Sequence, residues 1–212
     1  TIDCLSYLSG HNNEYLFYRT DHHWTSLGAY YAYCSAAKAL GISAYSLSDF
    51  DIETASSDFR GTLYSKTLDN SITPDTIAYY HLKSKPTTLT MTVNDGEKET
   101  VYDSLYVRDY LGKKDKYSSF TGSNQPIITI ETNVDNDKSL LIIKDSYAHS
   151  LVPFLANHYS KITMVDLRYI NAGLNQVFDL FGYQRVEDYS QILFVYNSLG
   201  FSSEASVRKI ML

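Results

Sequence analysis

The chain of 212 residues carries 24 acidic against 18 basic side chains, a formal charge of −6, and it lacks the basic cluster that nucleic-acid phosphates demand. No apolar run approaches the roughly 18 to 20 residues needed to span a bilayer, and a chain this long buries a core without help from disulfides or metals. It opens on Thr1 with no initiator Met and no signal-like stretch, which reads as a fragment of a longer protein.

Residues 1–20 read as extended or irregular and end in Tyr15-Leu16-Phe17-Tyr18, a strand pattern leading into Thr20-Asp21-His22-His23-Trp24-Thr25. Thr25 is placed to cap a helix over 27–40, and Gly41 to stop it. The Ser-, Thr- and Asp-rich residues 45–75 read as a long loop that contains Phe59-Arg60-Gly61-Thr62-Leu63-Tyr64. Residues 76–82, 88–93 and 99–106 are rich in β-branched and aromatic side chains, and Asn94-Asp95-Gly96 is a hairpin turn signal. The stretch 76–135 therefore reads as an antiparallel β insertion within one domain spanning 1–212.

From residue 139 the pattern becomes β-α-β-α-β-α. Continuous apolar runs predict strands at 139–144, 161–166 and 190–196, with helices at 148–158, 172–182 and 203–211. Such alternation indicates a parallel sheet covered on both faces, whose reactive groups collect at the carboxyl ends of the strands. Ser146, Asp166-Leu167-Arg168 and Asn197 all fall at such ends.

Two runs carry the chemistry. Ser146, in Lys144-Asp145-Ser146-Tyr147, follows an apolar strand and precedes a helix whose backbone N–H groups could hold an oxyanion; a serine at that place can also be a plain helix cap. Asp21 and His23 are two positions apart, so on an extended segment they share a side and His22 faces away. The carboxylate would accept from the imidazole Nδ1–H, leaving Nε2 toward a serine. Asp21, His22 and His23 could alternatively hold a metal, although no second ligand cluster is evident, or cap the helix starting at Thr25. Arg168 could grip an anionic group bidentately or pair with Asp166. Cys4 and Cys34 allow one bridge or two separate thiols. The twenty tyrosines suit carbohydrate-facing surfaces and strands alike.

Asp21-His22-His23-Trp24-Thr25 followed by Gly28-Ala29-Tyr30-Tyr31-Ala32-Tyr33 resembles the signature of the bacterial DHHW family. That family is similar to alginate O-acetyltransferases of the AlgX and AlgJ type, within the SGNH/GDSL hydrolase-like group. In those enzymes the Asp-x-His-Trp motif precedes the serine motif, and this chain shows the same order, with Lys144 where the Gly-Asp-Ser block has glycine. The resemblance implies an α/β fold: an SGNH-hydrolase-like (flavodoxin-like) three-layer sandwich with a mostly parallel sheet and circularly permuted motif order. It implies Ser146 as nucleophile, His23 as general base and Asp21 as its orienting carboxylate. Asn197, Gly61, Arg168, Tyr147 and Trp24 are the oxyanion or substrate-binding candidates. No cofactor or metal is implied. The implied partners are a polysaccharide or other glycan acceptor and an acetyl donor, which a membrane-bound O-acyltransferase would supply, and the implied setting is extracellular or on the cell surface, where a Cys4–Cys34 bridge would be allowed. An O-acetylesterase with the same triad and a non-catalytic glycan-binding domain remain the alternatives.

Overall fold

The Ala-, Gly- and Tyr-rich run after the histidine motif forms the longest helix of a computed structural model that describes residues 1–84, 87–203 and 205–211. The described chain divides into two compact units, one of Thr1–Thr87, Tyr106–Ser123 and His149–Asn157, the other of Thr88–Leu105, Asn124–Ala148 and His158–Leu212.

In the first unit, a short helix α1 (Cys4–Gly10), capped by the Asp3 carboxylate, stands where irregular chain is expected. Helix α2 (Ser26–Leu40) begins and ends as the sequence predicts. The Thr25 hydroxyl accepts the Gly28 N–H, and Gly41 closes the helix in the left-handed region at φ 65°. Small residues let α2 pack closely: a Cβ on Gly28 would sit 2.3 Å from the Leu16 carbonyl oxygen. Strand β1 (Phe50–Phe59) occupies much of the expected loop and pairs antiparallel with β2 (Asp75–Leu82), with irregularities after Thr54 and Ser56. Between them lies α3 (Thr62–Thr67). The core is aromatic: Tyr18, Phe59, Tyr79, Tyr117 and Phe120 form one cluster, while Tyr30, Tyr33, Phe50, Tyr80 and Phe154 pack ring to ring in another. Many of the tyrosines thus build the interior.

The second unit holds, among the described residues, a six-stranded sheet in the order β4-β3-β5-β7-β6-β8. Its strands are β3 (Leu89–Asn94), β4 (Glu99–Tyr102), β5 (Ile127–Thr132), β6 (Ser139–Lys144), β7 (Lys161–Val165) and β8 (Gln191–Val195). The three apolar runs predicted as strands are β6, β7 and β8, and β6 pairs parallel with both of the others. The expectation of a mostly parallel sheet fails, because the sheet is mixed. Gly96, at φ 96°, completes the Asn94-Asp95-Gly96 turn that folds β3 back onto β4, a connection that only antiparallel strands can use. Strand β5 then lies antiparallel to β3 and to β7. Strands β3, β4 and β5 therefore extend the sheet of the apolar strands, whereas β2 belongs to the ribbon of the first unit.

Helix α4 (Ala148–Leu155) follows β6 and carries the chain into the first unit at His149. Helix α5 (Leu174–Phe181) lays Leu174, Val177 and Phe178 on a core with Leu141, Ile143 and Val165. After β8 come α6 (Ser198–Ser203) and a 3-10 turn at Ala205–Met211; the helix expected over 203–211 also includes Glu204, which lies outside the described residues.

Candidate active site

The Asp-His motif is a tight connection rather than an extended segment. Phe17 bridges Trp24, the Tyr18 N–H donates to the His23 carbonyl at 3.2 Å, and the Thr25 N–H donates to the Leu16 carbonyl at 2.8 Å. Residues 19–23 therefore bend, and the alternation that would turn His22 away is lost. The His22 ring centroid lies 3.9 Å from that of His23, and its Nδ1 is 2.8 Å from the Thr62 hydroxyl.

Asp21 and His23 are brought together as expected. The Asp21 Oδ1 lies 2.5 Å from the His23 Nδ1 and also accepts the His23 backbone N–H at 3.0 Å. Its Oδ2 accepts the N–H and hydroxyl of Thr62 at 2.8 and 3.0 Å. Burial alone would push this carboxyl up; the hydrogen bond from His23, its charge and the Thr62 and His23 amides outweigh that and hold it well below the ordinary carboxylate range. An ionised Asp21 fixes the imidazole proton on Nδ1, so Nε2 becomes the acceptor nitrogen of the ring. The ring plane is set by Tyr117, stacked at 3.8 Å and 7°.

Other residues of the first unit brace this pair, and the sequence does not single them out. Asp75 is fully buried; it accepts the N–H and hydroxyl of Thr20 at 2.7 and 2.5 Å, the Arg19 N–H at 2.9 Å and the Tyr15 hydroxyl. Gly61 donates its N–H to the Thr20 hydroxyl at 3.1 Å, and a Cβ there would lie 2.3 Å from both the Asp21 Cβ and Oδ2. Its structural role is room for the carboxylate. Trp24 is buried and donates Nε1–H to the Ser150 Oγ at 2.9 Å, and Ser150 also bonds the Tyr117 hydroxyl at 3.1 Å. The signal for Asp75 is a lone acid leading a β-rich run, which resembles any strand-capping Asp.

The ligand atoms of Asp21, His22 and His23 lie within 4.8 Å of one another. The 2.5 Å between the Asp21 Oδ1 and His23 Nδ1 is direct hydrogen-bond contact, whereas two ligands of one tetrahedral ion with bonds near 2 Å stand about 3.3 Å apart.

In the second unit, the parallel strands bring the serine motif, Asp166-Arg168 and Asn197 to one rim. Ser146 is half-buried at the turn after β6. Asp145 clamps that turn: its Oδ1 accepts the Tyr147 N–H at 2.8 Å, and its Oδ2 accepts the Asn197 N–H and Nδ2–H at 2.8 and 2.6 Å. The Asn197 Oδ1 in turn accepts the Gly200 N–H at 2.7 Å. Arg168 grips Asp166 bidentately, Nε to Oδ1 at 2.8 Å and Nη2 to Oδ2 at 2.6 Å, so the ion pair weighed from the sequence is present. Lys144, fully buried, also faces Asp166 at 3.4 Å. Burial drives its ammonium down to about 8 despite that partner. Cys4 and Cys34 are both free thiols, and burial raises each.

Among curated proteins, none matches the chain. A crystal structure of a DHHW family protein from Eubacterium siraeum shares 29% identity at a TM-score of 0.76, with 99% of this chain and 68% of that one aligned. Bacillus cereus PatB1, solved with a sulfonyl adduct, shares 23% identity at a TM-score of 0.72, covering 94% of this chain and 67% of its own. The O-acetyltransferase domain of Pseudomonas putida AlgJ shares 14% identity over 98% of this chain and 65% of its own; its TM-score of 0.41 is too low to carry an argument. The chain thus spans about two thirds of the length of these relatives. The family model for DHHW protein matches residues 3–165, well over half of the sequence and including both motifs. This chain belongs to the DHHW protein family.

Proposed function

We propose that the chain is a serine-dependent O-acetyltransferase acting on an extracellular or cell-surface polysaccharide. The observation that carries the reading is the buried Asp21–His23 pair, which sets the imidazole with Nδ1 protonated and Nε2 as acceptor. That is the state a general base needs. Membership of the DHHW family and the likeness in fold to PatB1 support it. On this reading residues 1–212 act as one SGNH-like catalytic domain.

In the mechanism, His23 Nε2 takes the Ser146 hydroxyl proton as Oγ attacks the acetyl carbonyl of the donor. The tetrahedral intermediate collapses, the donor's leaving oxygen receives that proton, and acetyl-Ser146 remains. A sugar hydroxyl then gives its proton to His23 and attacks the acetyl-serine; the proton returns to Ser146 as the new ester departs. Asn197 and Tyr147 border the serine turn and serve the oxyanion or the acceptor. Asp145, Gly61 and Trp24 hold backbone and rings in place, and Arg168 braces the rim through Asp166. The acetyl donor is delivered at the membrane by an O-acyltransferase.

Turnover of p-nitrophenyl acetate tests the acyl-enzyme half. Ser146→Ala, His23→Ala and Asp21→Asn should each lower kcat by at least about a thousandfold while the protein melts cooperatively. Wild-type rates in His23→Ala, with loss in His22→Ala, would move the base by one residue and overturn the assignment. Adding acetylated and bare polysaccharides then reads direction: acetyl transfer to a sugar hydroxyl faster than release as acetate is the expected result.

A further inference from the structure

His22 is the motif residue that the proposed acyl transfer does not use. Its side chain is 46% exposed, yet the ring is held on two sides. It lies 3.9 Å from the His23 ring centroid, tilted by 39°, and its Nδ1 stands 2.8 Å from the Thr62 Oγ. Thr62 opens α3, whose first turn is tied down by the Leu63 and Tyr64 N–H groups on the Thr20 carbonyl, both at 3.0 Å. The hydroxyl is therefore fixed between two partners, the His22 Nδ1 and, at 3.0 Å, the Asp21 Oδ2. It has one proton to give. Asp21 is buried and ionised, so it can only accept; a hydroxyl proton turned away from it would set oxygen lone pairs against a buried carboxylate. The proton goes to Oδ2, and the Thr62 oxygen is left as the acceptor. His22 must then donate to it, which its Nδ1–H tautomer and its imidazolium both do.

We infer that His22 is a positioning residue for the general base: through the Thr62 hydroxyl it holds the Asp21 carboxylate in the orientation that directs His23. The assignment rests on the acyl-transfer reading above, because it takes His23 as the base. The chain of donors runs from His22 Nδ1–H to the Thr62 oxygen and from the Thr62 hydroxyl to Asp21 Oδ2, while Oδ1 is left to His23. Each bond polarises the next, so a hydroxyl that accepts from His22 is the stronger donor to Asp21. The direct route is closed, since the 3.6 Å between His22 Nδ1 and Asp21 Oδ1 is too long for a hydrogen bond. His22 thus acts on the carboxylate by way of a residue forty positions later in the chain.

A double-mutant cycle on kcat/KM for p-nitrophenyl acetate tests this brace, with melting temperatures checking the fold. His22→Ala and Thr62→Val should each lower kcat/KM at least about fivefold, well short of the loss expected for His23→Ala. The double variant should lose no more than the larger single loss, since both substitutions cut one path. His22→Asn, whose amide offers an N–H donor near the place of Nδ1, should return to within about twofold of wild type. Wild-type rates in His22→Ala, losses that multiply in the double variant, or a His22→Asn as poor as His22→Ala would overturn the proposal. Proton NMR gives a reading that needs no turnover. The His23 Nδ1–H resonance, carried downfield by its bond to Asp21, should move and exchange faster with solvent in His22→Ala and Thr62→Val alike, but not in His22→Asn. An unchanged resonance in His22→Ala refutes the positioning role even if p-nitrophenyl acetate is not turned over, so failure of the serine chemistry and failure of the brace are told apart.

Discussion

Asp21 owes its ionised state to four donors on two oxygens, two from His23 two positions on and two from Thr62 forty-one positions on. Because its folded-state pKa is depressed below the unfolded value near 4, its contribution to stability is complete above that pH and is lost as pH falls toward the folded value. Asp21→Asn should therefore show a shallower loss of stability than wild type in acid titrations followed by thermal melting. Gly61 makes a sharper test of the same site. The Cβ of Gly61→Ala would overlap the carboxylate, with nothing flexible to yield except Asp21 itself. We expect a loss of at least a hundredfold in p-nitrophenyl acetate turnover and about 2 kcal/mol of stability, the usual scale for overpacking. Full activity in Gly61→Ala would mean that the placement of the carboxylate is immaterial. The sequence displays Asp21, His23 and Ser146 because motif residues sit within a few positions of one another. It does not display Asp75 or Tyr117, because the contacts that make them matter join residues about 55 and 94 positions apart.

At the scale of elements, the rim formed by the ends of β6, β7 and β8 was legible in advance, since three continuous apolar runs with intervening helices specify parallel strands. Strand β1 was hidden by its composition. Only its ends, Phe50 and Phe59, are buried, so Ser, Thr and Asp between them give no hydrophobic alternation to read. The antiparallel character of the stretch holding β5 was legible too, but its place beside β7 in the sheet of the apolar strands was hidden, because pairing between strands distant along the chain leaves no local pattern. Within the rim, Asp145 should be worth about 2–3 kcal/mol, since Asp145→Ala removes the carboxylate that accepts the Tyr147 N–H and both Asn197 donors. Denaturant titration would measure it. Lys144 predicts a pH signature of its own. Its folded pKa, about 8, lies below the unfolded value near 10.4, so the unfolded chain holds more protons between those values and stability gains from this group as pH rises through that window. Lys144→Met should remove that increment, read as a smaller difference between melting temperatures at pH 8 and pH 10 than in wild type.

At the scale of the whole molecule, the two motifs that define the family fall in different compact units, Asp21 and His23 in one and Ser146 in the other. The chain crosses between the units immediately after the serine turn, at the start of α4. The reading of this protein as an acetyltransferase therefore depends on Ser146 being activated by a histidine 123 positions earlier in the sequence. Sulfonyl fluoride labelling followed by peptide mass spectrometry asks that question directly. The account predicts a single sulfonyl adduct on Ser146, formed in the wild-type chain and suppressed in His23→Ala. An unlabelled Ser146, or one labelled equally well without His23, would contradict it.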